Sequence, residues 1–307
     1  MDRKSPVVEA RNLVKRYGDF LAVDNIDFSV DQGECFGFLG PNGAGKTSTL
    51  RMIGCVSPLS GGELLVGGMS VTGDVRAIKA MLGVVPQTEN LDPDLTVWQN
   101  LMVYARYFDT PRKLALERAE EALEFMQLQD RKGSPIGILS DGMKRRLLIA
   151  RALINQPRVV ILDEPTTGLD PQARHLVWQK LDNLRSQGTS LLLSTHYMEE
   201  ATRLCDRVVI IFRGKIIARG RPGDLVARYA GEEVLELRLG PGEKPGLAAK
   251  IKDLGVASVE VGDTLYLFGG GGEALRGRLG VDAARAVLRP STLEDVFLLL
   301  TGRGLEE

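Results

Sequence analysis

Apolar residues recur in a β-like pattern over the first forty positions of the chain. Strands are predicted at residues 7–14, at 21–30, where apolar and polar positions alternate, and at 34–39. The glycine-rich residues 40–45 predict a turn, and residues 47–55 have the spacing of a helix. The amino-terminal region is therefore expected to be β-rich and to lead through a loop into a helix.

Helical periodicity dominates from about residue 96 to residue 152. It predicts helices at residues 97–108, at 111–128 and from about 140 to 155. Pro111 suits the first position of the second of these helices, and acidic and basic residues pair along its polar side.

Strands and helices alternate after Pro157. Continuous apolar, β-prone runs at residues 159–162 and 190–194 are typical of strands covered on both faces, and a helix is predicted between them at 172–187. Strands at 208–212 and 215–218 flank the turn Arg213-Gly214. The pattern predicts an α/β domain with a buried sheet.

A shift in composition near residues 230–245 predicts a domain boundary. Beyond it, strands are predicted at residues 234–239, 258–261 and 264–268, with a glycine-rich turn at 269–272. The glycine run has no basic context that would suit phosphate. The last part of the chain is therefore expected to be a small α+β domain.

Composition narrows the function classes. The 307 residues are 44% hydrophobic and 26% charged with a net charge of -1, which is typical of a globular protein and leaves no basic block for nucleic acid. No apolar run approaches the roughly 18 residues needed to cross a bilayer, and no signal peptide is expected. The three cysteines are too scattered for a disulfide framework or a zinc site, and are expected to be buried thiols in a reducing compartment.

The turn after the third strand carries the strongest chemical motif. Its residues, followed by Ser48, are Gly40, Pro41, Asn42, Gly43, Ala44, Gly45, Lys46 and Thr47. They match the phosphate-binding P-loop, in which glycines let amide groups face phosphate oxygens, the lysine reaches the β- and γ-phosphates and the hydroxyl binds Mg²⁺. Roughly one chain in a hundred of this length would hold such a string by chance, but few would place it between a strand and a helix. The loop predicts ATP binding.

Two other strand ends supply partners for the loop. Asp163 and Glu164 follow the apolar run 159–162, so Asp163 is expected to hold Mg²⁺ and Glu164 to polarise the attacking water. His196 follows the run 190–194 and is expected to face the same crevice, where its imidazole would bind the γ-phosphate or the water. A structural role remains the alternative for any lone histidine, and it is the one expected for His175 on a polar helix surface.

The ordered set of motifs resembles the ATP-binding subunits of ABC transporters over about residues 7–230. Tyr17 matches the aromatic residue that stacks on adenine, and Gln87 the Q-loop glutamine that senses metal and water and faces the membrane partner. Asp170 matches the D-loop and His196 the switch histidine. The sequence Leu139-Ser140-Asp141-Gly142-Met143 takes the place of the signature motif, with Ser140, Asp141 and Gly142 acting on the opposing subunit.

Within that superfamily the chain is similar to drug and nodulation-factor export ATPases. The similarity lies in the residues that follow the signature motif, in the run 168–176, and in the tail Leu293-Glu294-Asp295-Val296-Phe297 with Leu300-Thr301-Gly302-Arg303.

The resemblance implies a RecA-like core with an antiparallel β subdomain and a helical subdomain at about residues 88–155. It implies an ATP-binding cassette at residues 1–230 and an accessory domain at 231–307. The expected assembly is a head-to-tail homodimer that binds ATP and Mg²⁺, hydrolyses ATP and drives a separate integral-membrane permease of an ABC-2 type exporter. Its expected location is peripheral, on the cytoplasmic face of the inner membrane, without nucleic acid.

Asp141 departs from the family pattern, which has glycine there. A carboxylate would add negative charge beside the γ-phosphate of the opposing site, although it suits a helix amino terminus by about 0.3–1 kcal/mol. The milder interpretation, which we prefer, turns the side chain outward and leaves Ser140 and the Gly142 amide on the phosphate.

Two other functions stay open: an ABC ATPase that acts on ribosomes or DNA, and a regulator that hydrolyses ATP weakly because of Asp141.

Overall fold

The computed structural model describes residues 6–239, 251, 255–269, 271–280 and 285–302. Its strands are Val8–Tyr17 (β1), Phe20–Val30 (β2), Cys35–Leu39 (β3), Gly61–Val66 (β4), Met69–Ser70 (β5), Leu82–Val85 (β6), Val159–Asp163 (β7), Ser190–Thr195 (β8), Arg207–Phe212 (β9), Lys215–Gly220 (β10), Glu233–Arg238 (β11), Ala257–Val261 (β12), Thr264–Phe268 (β13) and Ala286–Pro290 (β14). Its α-helices are Lys46–Ile53 (α1), Val75–Ala80 (α2), Val97–Tyr107 (α3), Arg112–Phe125 (α4), Asp141–Leu153 (α5), Pro171–Ser186 (α6), Met198–Leu204 (α7), Pro222–Tyr229 (α8), Gly272–Leu279 (α9) and Leu293–Thr301 (α10).

A six-stranded sheet forms the centre of the molecule, in the order β10-β9-β3-β8-β7-β6. All neighbours are parallel except β10, which pairs antiparallel with β9 across the Arg213-Gly214 turn. Every residue of β3, β7 and β8 is buried, as expected for strands covered on both faces. In register, Leu39 lies beside Thr195 and Asp163 beside Ser194, so the carboxyl ends of these strands meet at one edge.

A second, antiparallel sheet has the order β2-β1-β4-β5 and covers one side of α1. Phe28 on this sheet packs against Phe36 and Phe38 of β3, with ring centroids 6.0 and 5.1 Å apart. These rings belong to one apolar core that also includes Leu50 of α1. The aromatic contacts join the antiparallel sheet to the strand that leads into the glycine-rich loop.

The helical region matches the predicted pattern closely. Thr96 and Gln99 form a reciprocal capping box that begins α3, and Ser140 accepts a hydrogen bond from the Met143 amide at the start of α5. Helices α3, α4 and α5 pack around fully buried side chains such as Leu123. Their ends differ from the predicted ones by a few residues, because terminal turns do not affect the apolar period.

Several short elements are absent from the predicted pattern, namely β4, β5, β6, α2, α7, α8, β14, α9 and α10. The strand β4 begins with a glycine pair, which disfavours a strand on propensity alone. It forms because it pairs with β1 from Val66 to Gly61. Pairing with a strand distant in sequence, rather than local preference, therefore determines this element.

The carboxy-terminal residues form a third sheet, in the order β12-β13-β11-β14, with all neighbours antiparallel. Helix α10 follows it and packs its apolar side against α7 and α8 of the central region. Arg289 donates to both carboxylate oxygens of the buried Asp295, at 2.7 and 2.8 Å, and so fixes α10 to β14. Residues 240–245 of the predicted boundary, Gly270 of the predicted turn and Arg303 lie outside the described residues.

The cysteines are free thiols. Cys35 and Cys205 are buried with their sulfur atoms 4.0 Å apart, and Cys55 is partly buried. The neighbouring Cys35 thiol and burial raise the pKa of Cys205 well above its ordinary value, which favours the neutral thiol. No helix among the described residues is long and apolar enough to cross a bilayer.

Candidate active site

The glycine-rich loop connects β3 to α1 and touches other backbone segments closely. A Cβ atom on Gly40 would lie 2.2 Å from the carbonyl oxygen of Ile211, and one on Gly45 would lie 2.4 Å from that of Ala22. Gly45 also has a φ of 111°, which other residues adopt only with strain. Only glycine therefore fits at these two positions.

Lys46 lies at the first position of α1 and is buried. Its ammonium donates to the carbonyl oxygens of Gly40 and Pro41, at 2.7 and 3.0 Å, and lies 3.6 Å from a carboxylate oxygen of Glu164. Burial lowers the pKa of Lys46, while Glu164 and Asp163 oppose that shift. The ammonium is therefore positioned between the loop and the acidic end of β7.

Thr47, Asp163 and Ser194 form a small polar cluster beside this lysine. The Thr47 hydroxyl donates to Asp163 Oδ1 at 3.0 Å, and the Ser194 hydroxyl donates to the same oxygen. A threonine hydroxyl beside a carboxylate oxygen is a donor set that suits Mg²⁺, which binds one or two protein oxygens and keeps several waters. The residues present therefore fit the predicted metal. The described residues contain no cluster of three or more histidine, cysteine or acidic side chains that would suit a metal held by such ligands alone.

The Glu164 carboxylate lies at the centre of the site and is buried. Gln87 Nε2 and the Thr167 hydroxyl donate to its Oε2 atom, at 3.1 and 3.2 Å. Its Oε1 atom is 3.3 Å from His196 Nδ1 and 3.6 Å from the Lys46 ammonium. The contact with His196 does not have the geometry of a hydrogen bond. The structure therefore brings the predicted lysine, glutamine and histidine together around the carboxylate of the predicted glutamate, Glu164.

The main chain at Glu164 is held as firmly as the side chain. Its φ is 48°, and its amide donates to the carbonyl and hydroxyl oxygens of Ser194, both at 3.1 Å. The buried Arg145 donates to the Glu164 carbonyl at 3.1 Å and also to the carbonyls of Pro86 and Gln87, at 2.8 and 3.2 Å. A left-handed backbone at a non-glycine residue is uncommon, and these contacts stabilise it.

Sequence reasoning missed the roles of Ser194, Thr167 and Arg145. Ser194 ends β8 beside Asp163, and the predicted neighbouring strand ends could have indicated it. Thr167 lies three residues after Glu164 in the loop that leads to α6, where hydroxyls often bind nearby groups. Arg145 binds only backbone carbonyls, which leave no sequence signal.

The two histidines occupy different environments. His196 follows β8, and its ring lies 4.3 Å from that of Tyr197 while the side chain stays about a quarter exposed. His175 lies on α6 with its ring edge-on to Trp178, at 5.2 Å between centroids. His196 lies beside Glu164, where its predicted role would place it, and His175 is exposed on the surface of α6. Both roles stay predictions.

Tyr17 lies at the end of β1, 45% exposed and with the Lys15 ammonium 4.8 Å from its ring centre. Burial raises the pKa of Tyr17, but hydrogen bonding to Ser48 and Ser57 and the charges of Lys15 and Arg51 lower it by more, so the net shift is downward. The tyrosine therefore lies beside the first turn of α1 and leaves an accessible ring face. It makes no hydrogen bond to Glu164 among the described residues.

The signature residues lie at the exposed start of α5. Ser140 caps this helix, and Asp141 is its first residue, with an exposed side chain. A Cβ on Gly142 would lie 2.9 Å from the side chain of Ala173, so this end of α5 touches the start of α6. Among the described residues no hydrogen bond connects the signature residues to the glycine-rich loop of the same chain. The signature residues are therefore accessible at the start of α5 and are not bonded to the loop of their own chain.

Asp170 occupies the equivalent position on α6. Its carboxylate accepts the amide of Ala173 at 2.9 Å, and Pro171 follows at the first helical position. The starts of α5 and α6 therefore form one adjoining surface that carries both the signature residues and the D-loop aspartate.

A cavity of about 530 Å³ opens beside the polar cluster, between the central sheet and the helical region. Thr47, Gln87 and Asp163 are among the residues that line it. Its remaining lining is largely apolar, and includes Leu50, Val56, Val84, Tyr104 and Ile161. Gln87 thus connects the carboxylate of Glu164 to an open groove on the surface.

Comparison with known proteins identifies the family. Residues 23–167 match the ABC transporter family, and residues 247–302 match the carboxy-terminal domain of the nodulation factor export protein NodI. The chain is 45% identical over 301 residues to Nod factor export ATP-binding protein I of Burkholderia lata, with 98% of each chain covered. It is 44% identical over 303 residues to the protein of that name from Rhizobium etli, with 98% and 95% covered. The chain belongs to this family of ABC transporter ATPases.

Solved ABC cassettes have the same fold as this family member. The dimeric cassette MJ0796 in a post-hydrolysis state with ADP and Pi has a TM-score of 0.64 at 26% identity, covering 70% of this chain and 98% of that one. CbiO1 from Clostridium perfringens, part of an ABC transporter complex, has a TM-score of 0.66 at 27% identity, covering 73% and 92%.

These findings confirm the predicted family, the P-loop ABC fold and the assignment as the ATP-binding and ATP-hydrolysing subunit of an ABC export system. They favour transport over the alternative of action on ribosomes or DNA. The ABC transporter match covers the P-loop, Asp163 and Glu164, and the nodulation-type match extends the similarity through α10.

Proposed function

We propose that this ABC ATPase hydrolyses ATP with Glu164 as the general base at a site built from the P-loop and the ends of β7 and β8. The observation that carries the proposal is the Glu164 carboxylate, which Lys46, Gln87, Thr167 and His196 surround within 3.6 Å. A buried carboxylate held by donors near a phosphate loop is positioned to accept a proton from water.

In this proposal the P-loop amides and Lys46 bind the β- and γ-phosphates of ATP, and Tyr17 stacks on the adenine. Thr47, Asp163 and Gln87 would hold Mg²⁺, which when bound neutralises phosphate charge. A water oxygen attacks the γ-phosphorus and the bond to the bridging oxygen of ADP breaks, while the water proton passes to Glu164. His196, adjacent to Glu164 Oε1, donates to the γ-phosphate and keeps it in line.

We further propose that two copies of the chain assemble head to tail. Ser140 and Gly142 of one copy would complete the nucleotide site of the other, with Asp170 at the subunit boundary. The exposure of Ser140 and Asp141 at the start of α5, with no hydrogen bond to the loop among the described residues of the same chain, supports this arrangement because it leaves them accessible to a second copy. Asp141 would point outward from that contact, as its exposure suggests.

The proposed membrane partner is a separate permease, with this subunit bound at the cytoplasmic face of the inner membrane. The curated relatives are named for Nod factor export, and we carry over an exporter of that type. The groove next to Gln87 supports a docking role, since it is open, mainly apolar and includes Val56 with 62% exposure. Val56→Asp is expected to reduce co-purification with the permease, with Leu116→Asp on α4 as the matched control.

The test of the hydrolytic site is Glu164→Gln, which keeps the size of the side chain and removes the base. Phosphate release should fall by about a hundredfold or more, and the variant should accumulate as an ATP-bound dimer in gel filtration. Glu199→Gln is the matched control, because Glu199 is an exposed glutamate at the start of α7. Unchanged phosphate release in Glu164→Gln would remove Glu164 as the base.

A further inference from the structure

Arg145 is a buried cation whose hydrogen bonds all go to the backbone. It lies on α5, five positions after the capping Ser140, and is 8% exposed. Its Nη1 atom donates to the Pro86 carbonyl at 2.8 Å, and its Nη2 atom donates to the carbonyls of Gln87 and Glu164, at 3.2 and 3.1 Å. One side chain thus joins the signature helix, the Q-loop segment and the main chain of the proposed base.

The free-energy cost of burying the Arg145 guanidinium indicates that its role goes beyond packing. A guanidinium loses hydration when buried, and isolated burial of a charge is costly. Burial lowers the pKa of Arg145, and the carboxylates of Glu200, Asp163 and Glu164 act in the opposite direction. The carbonyl oxygens and the nearby acidic groups together stabilise the cation. An apolar residue at this position would avoid the desolvation cost, but it could not bind these carbonyls as the planar guanidinium does.

The neighbouring arginine of the same helix provides a contrast. Arg146 donates to the carbonyls of Met126 and Gln127, at 2.6 and 3.1 Å, so it connects α5 to the end of α4. Both of these contacts stay within the helical region. Arg145 instead crosses from the helical region to the residue that carries the catalytic carboxylate.

We propose that Arg145 is a positioning residue for ATP hydrolysis, which couples the signature helix and the Q-loop to the orientation of Glu164. The proposal rests on the proposed role of Glu164 as the base. The Glu164 backbone is in a left-handed conformation with φ of 48°, and the contact to its carbonyl holds the peptide that sets the direction of the side chain. The same guanidinium binds the main-chain carbonyl of Gln87, and the side-chain amide of Gln87 donates to the Glu164 carboxylate.

Two substitutions separate the charge of Arg145 from the geometry of its fork. Arg145→Lys keeps the cation, but a single ammonium cannot span the carbonyls of both segments as the planar guanidinium does. Arg145→Gln removes the charge and most of the reach. Arg146→Gln is the matched control, because it removes an adjacent arginine with similar carbonyl contacts that do not include the site.

The expected result is a split between the kinetic constants. In Arg145→Gln kcat should fall roughly tenfold to a hundredfold, as expected for a misplaced catalytic group, while KM for ATP and the Kd for ADP stay within about threefold. Arg145→Lys should give an intermediate kcat, and Arg146→Gln should keep kcat within about twofold once its folded fraction is measured by the thermal transition.

A double-mutant cycle with Gln87→Ala adds a readout that a general packing role would not change. If Arg145 acts through Gln87 and Glu164, the losses in kcat should be clearly less than multiplicative, because each substitution disrupts the same arrangement. The Arg146→Gln and Gln87→Ala losses should multiply.

Several outcomes would overturn the proposal. A folded Arg145→Gln with unchanged kcat does so, as does a loss of kcat and ATP affinity that follows the fall in folded protein. If Arg145→Gln does not fold, Arg145→Lys decides, and an unchanged kcat there refutes the coupling. Failure of both variants to fold would assign Arg145 to the fold alone. Glu164→Gln separates a failure of the positioning role from a failure of the proposed function. If Glu164→Gln keeps its ATPase activity, Glu164 is not the general base. If Glu164→Gln is inactive while Arg145→Gln is fully active, only the positioning role of Arg145 is rejected.

Discussion

Phe297 on α10 offers a test of whether the carboxy-terminal region folds as one unit with the cassette. Its side chain is 1% exposed, and its ring lies edge-on to that of Phe212 on β9, at 5.9 Å between centroids. It shares one apolar core with Leu204 and Leu225 of α7 and α8. The perturbation is Phe297→Ala, which removes the ring and leaves the helix backbone intact.

The expected loss follows from burial. Removal of a buried phenylalanine costs about 3–5 kcal/mol, to which the lost aromatic pair with Phe212 contributes about 0.5–1.5 kcal/mol. A chain of this size shifts by about 2 °C for each kcal/mol. The apparent melting temperature should therefore fall by roughly 6–10 °C if α10 and the cassette unfold together.

The assay uses the positions of the tryptophans. The sequence contains two, Trp98 and Trp178, and both lie before residue 230. In a Trp98→Phe background, the fluorescence of Trp178 reports on α6, where this side chain is 1% exposed. A shift of that signal in urea or on heating, caused by Phe297→Ala, would show that loss of packing at α10 reaches the cassette.

Val287→Ala is the matched control for Phe297→Ala. Val287 lies on β14 of the carboxy-terminal sheet and is 57% exposed, so its truncation should change stability by less than about 0.5 kcal/mol. The reasoning is refuted if the Trp178 transition stays in place while a separate transition, followed by tyrosine fluorescence or far-ultraviolet circular dichroism, moves. That result would make residues after 230 an independently folding unit.

Three further predictions concern single side chains. Even when it points outward, the Asp141 carboxylate adds negative charge near the γ-phosphate of the opposing site, so Asp141→Gly should raise ATPase activity in a phosphate-release assay. The variant should also lose about 0.3–1 kcal/mol of stability with the interaction at the helix terminus, and equal or lower activity would argue against an electrostatic penalty. Tyr17→Ala should raise KM for ATP about tenfold through lost base stacking, with Tyr17→Trp retaining affinity; equal KM values would exclude stacking. Burial raises the pKa of Glu200 above its ordinary value of 4.5, so the folded protein binds this proton more tightly than the unfolded chain does, and the contribution of Glu200 to stability falls as pH rises above that value. Glu200→Gln, which can still accept from Thr166 and Trp178, should therefore gain in melting temperature relative to wild type between pH 5 and pH 8, and a difference independent of pH would contradict this.

The long elements were predictable because burial on both faces leaves a strong pattern. The runs that became β7 and β8 are continuous, apolar and β-prone, and nothing in their neighbourhood competes with that preference. The strand β6 has only four residues, including Gly83, and forms through its parallel pairing with β7. Short elements of this kind depend on partners distant in sequence, which local periodicity does not report.

The candidate site divides in the same way. The P-loop, Asp163, Glu164 and His196 could be predicted because phosphate and metal chemistry requires those residue types at strand ends. The link made by Arg145 could not, since an arginine in a helix after a capping serine is ordinary on sequence grounds. Its role emerges only when the carbonyls of distant segments converge on it.

The stretch that begins with Glu164 is held by side chains from two different helices. Arg145 of α5 binds the Glu164 carbonyl, and the Thr166 hydroxyl donates to the buried Glu200 carboxylate of α7 at 2.6 Å. Helix α5 also begins at Asp141, in the motif proposed to contact the nucleotide of a second subunit. A displacement of α5 by that contact would therefore act on the Glu164 peptide in the first subunit, because Thr166 is anchored to a different helix. In the proposed dimer, nucleotide bound at one site would therefore act through α5 and Arg145 on the orientation of Glu164, the proposed base, at the other site.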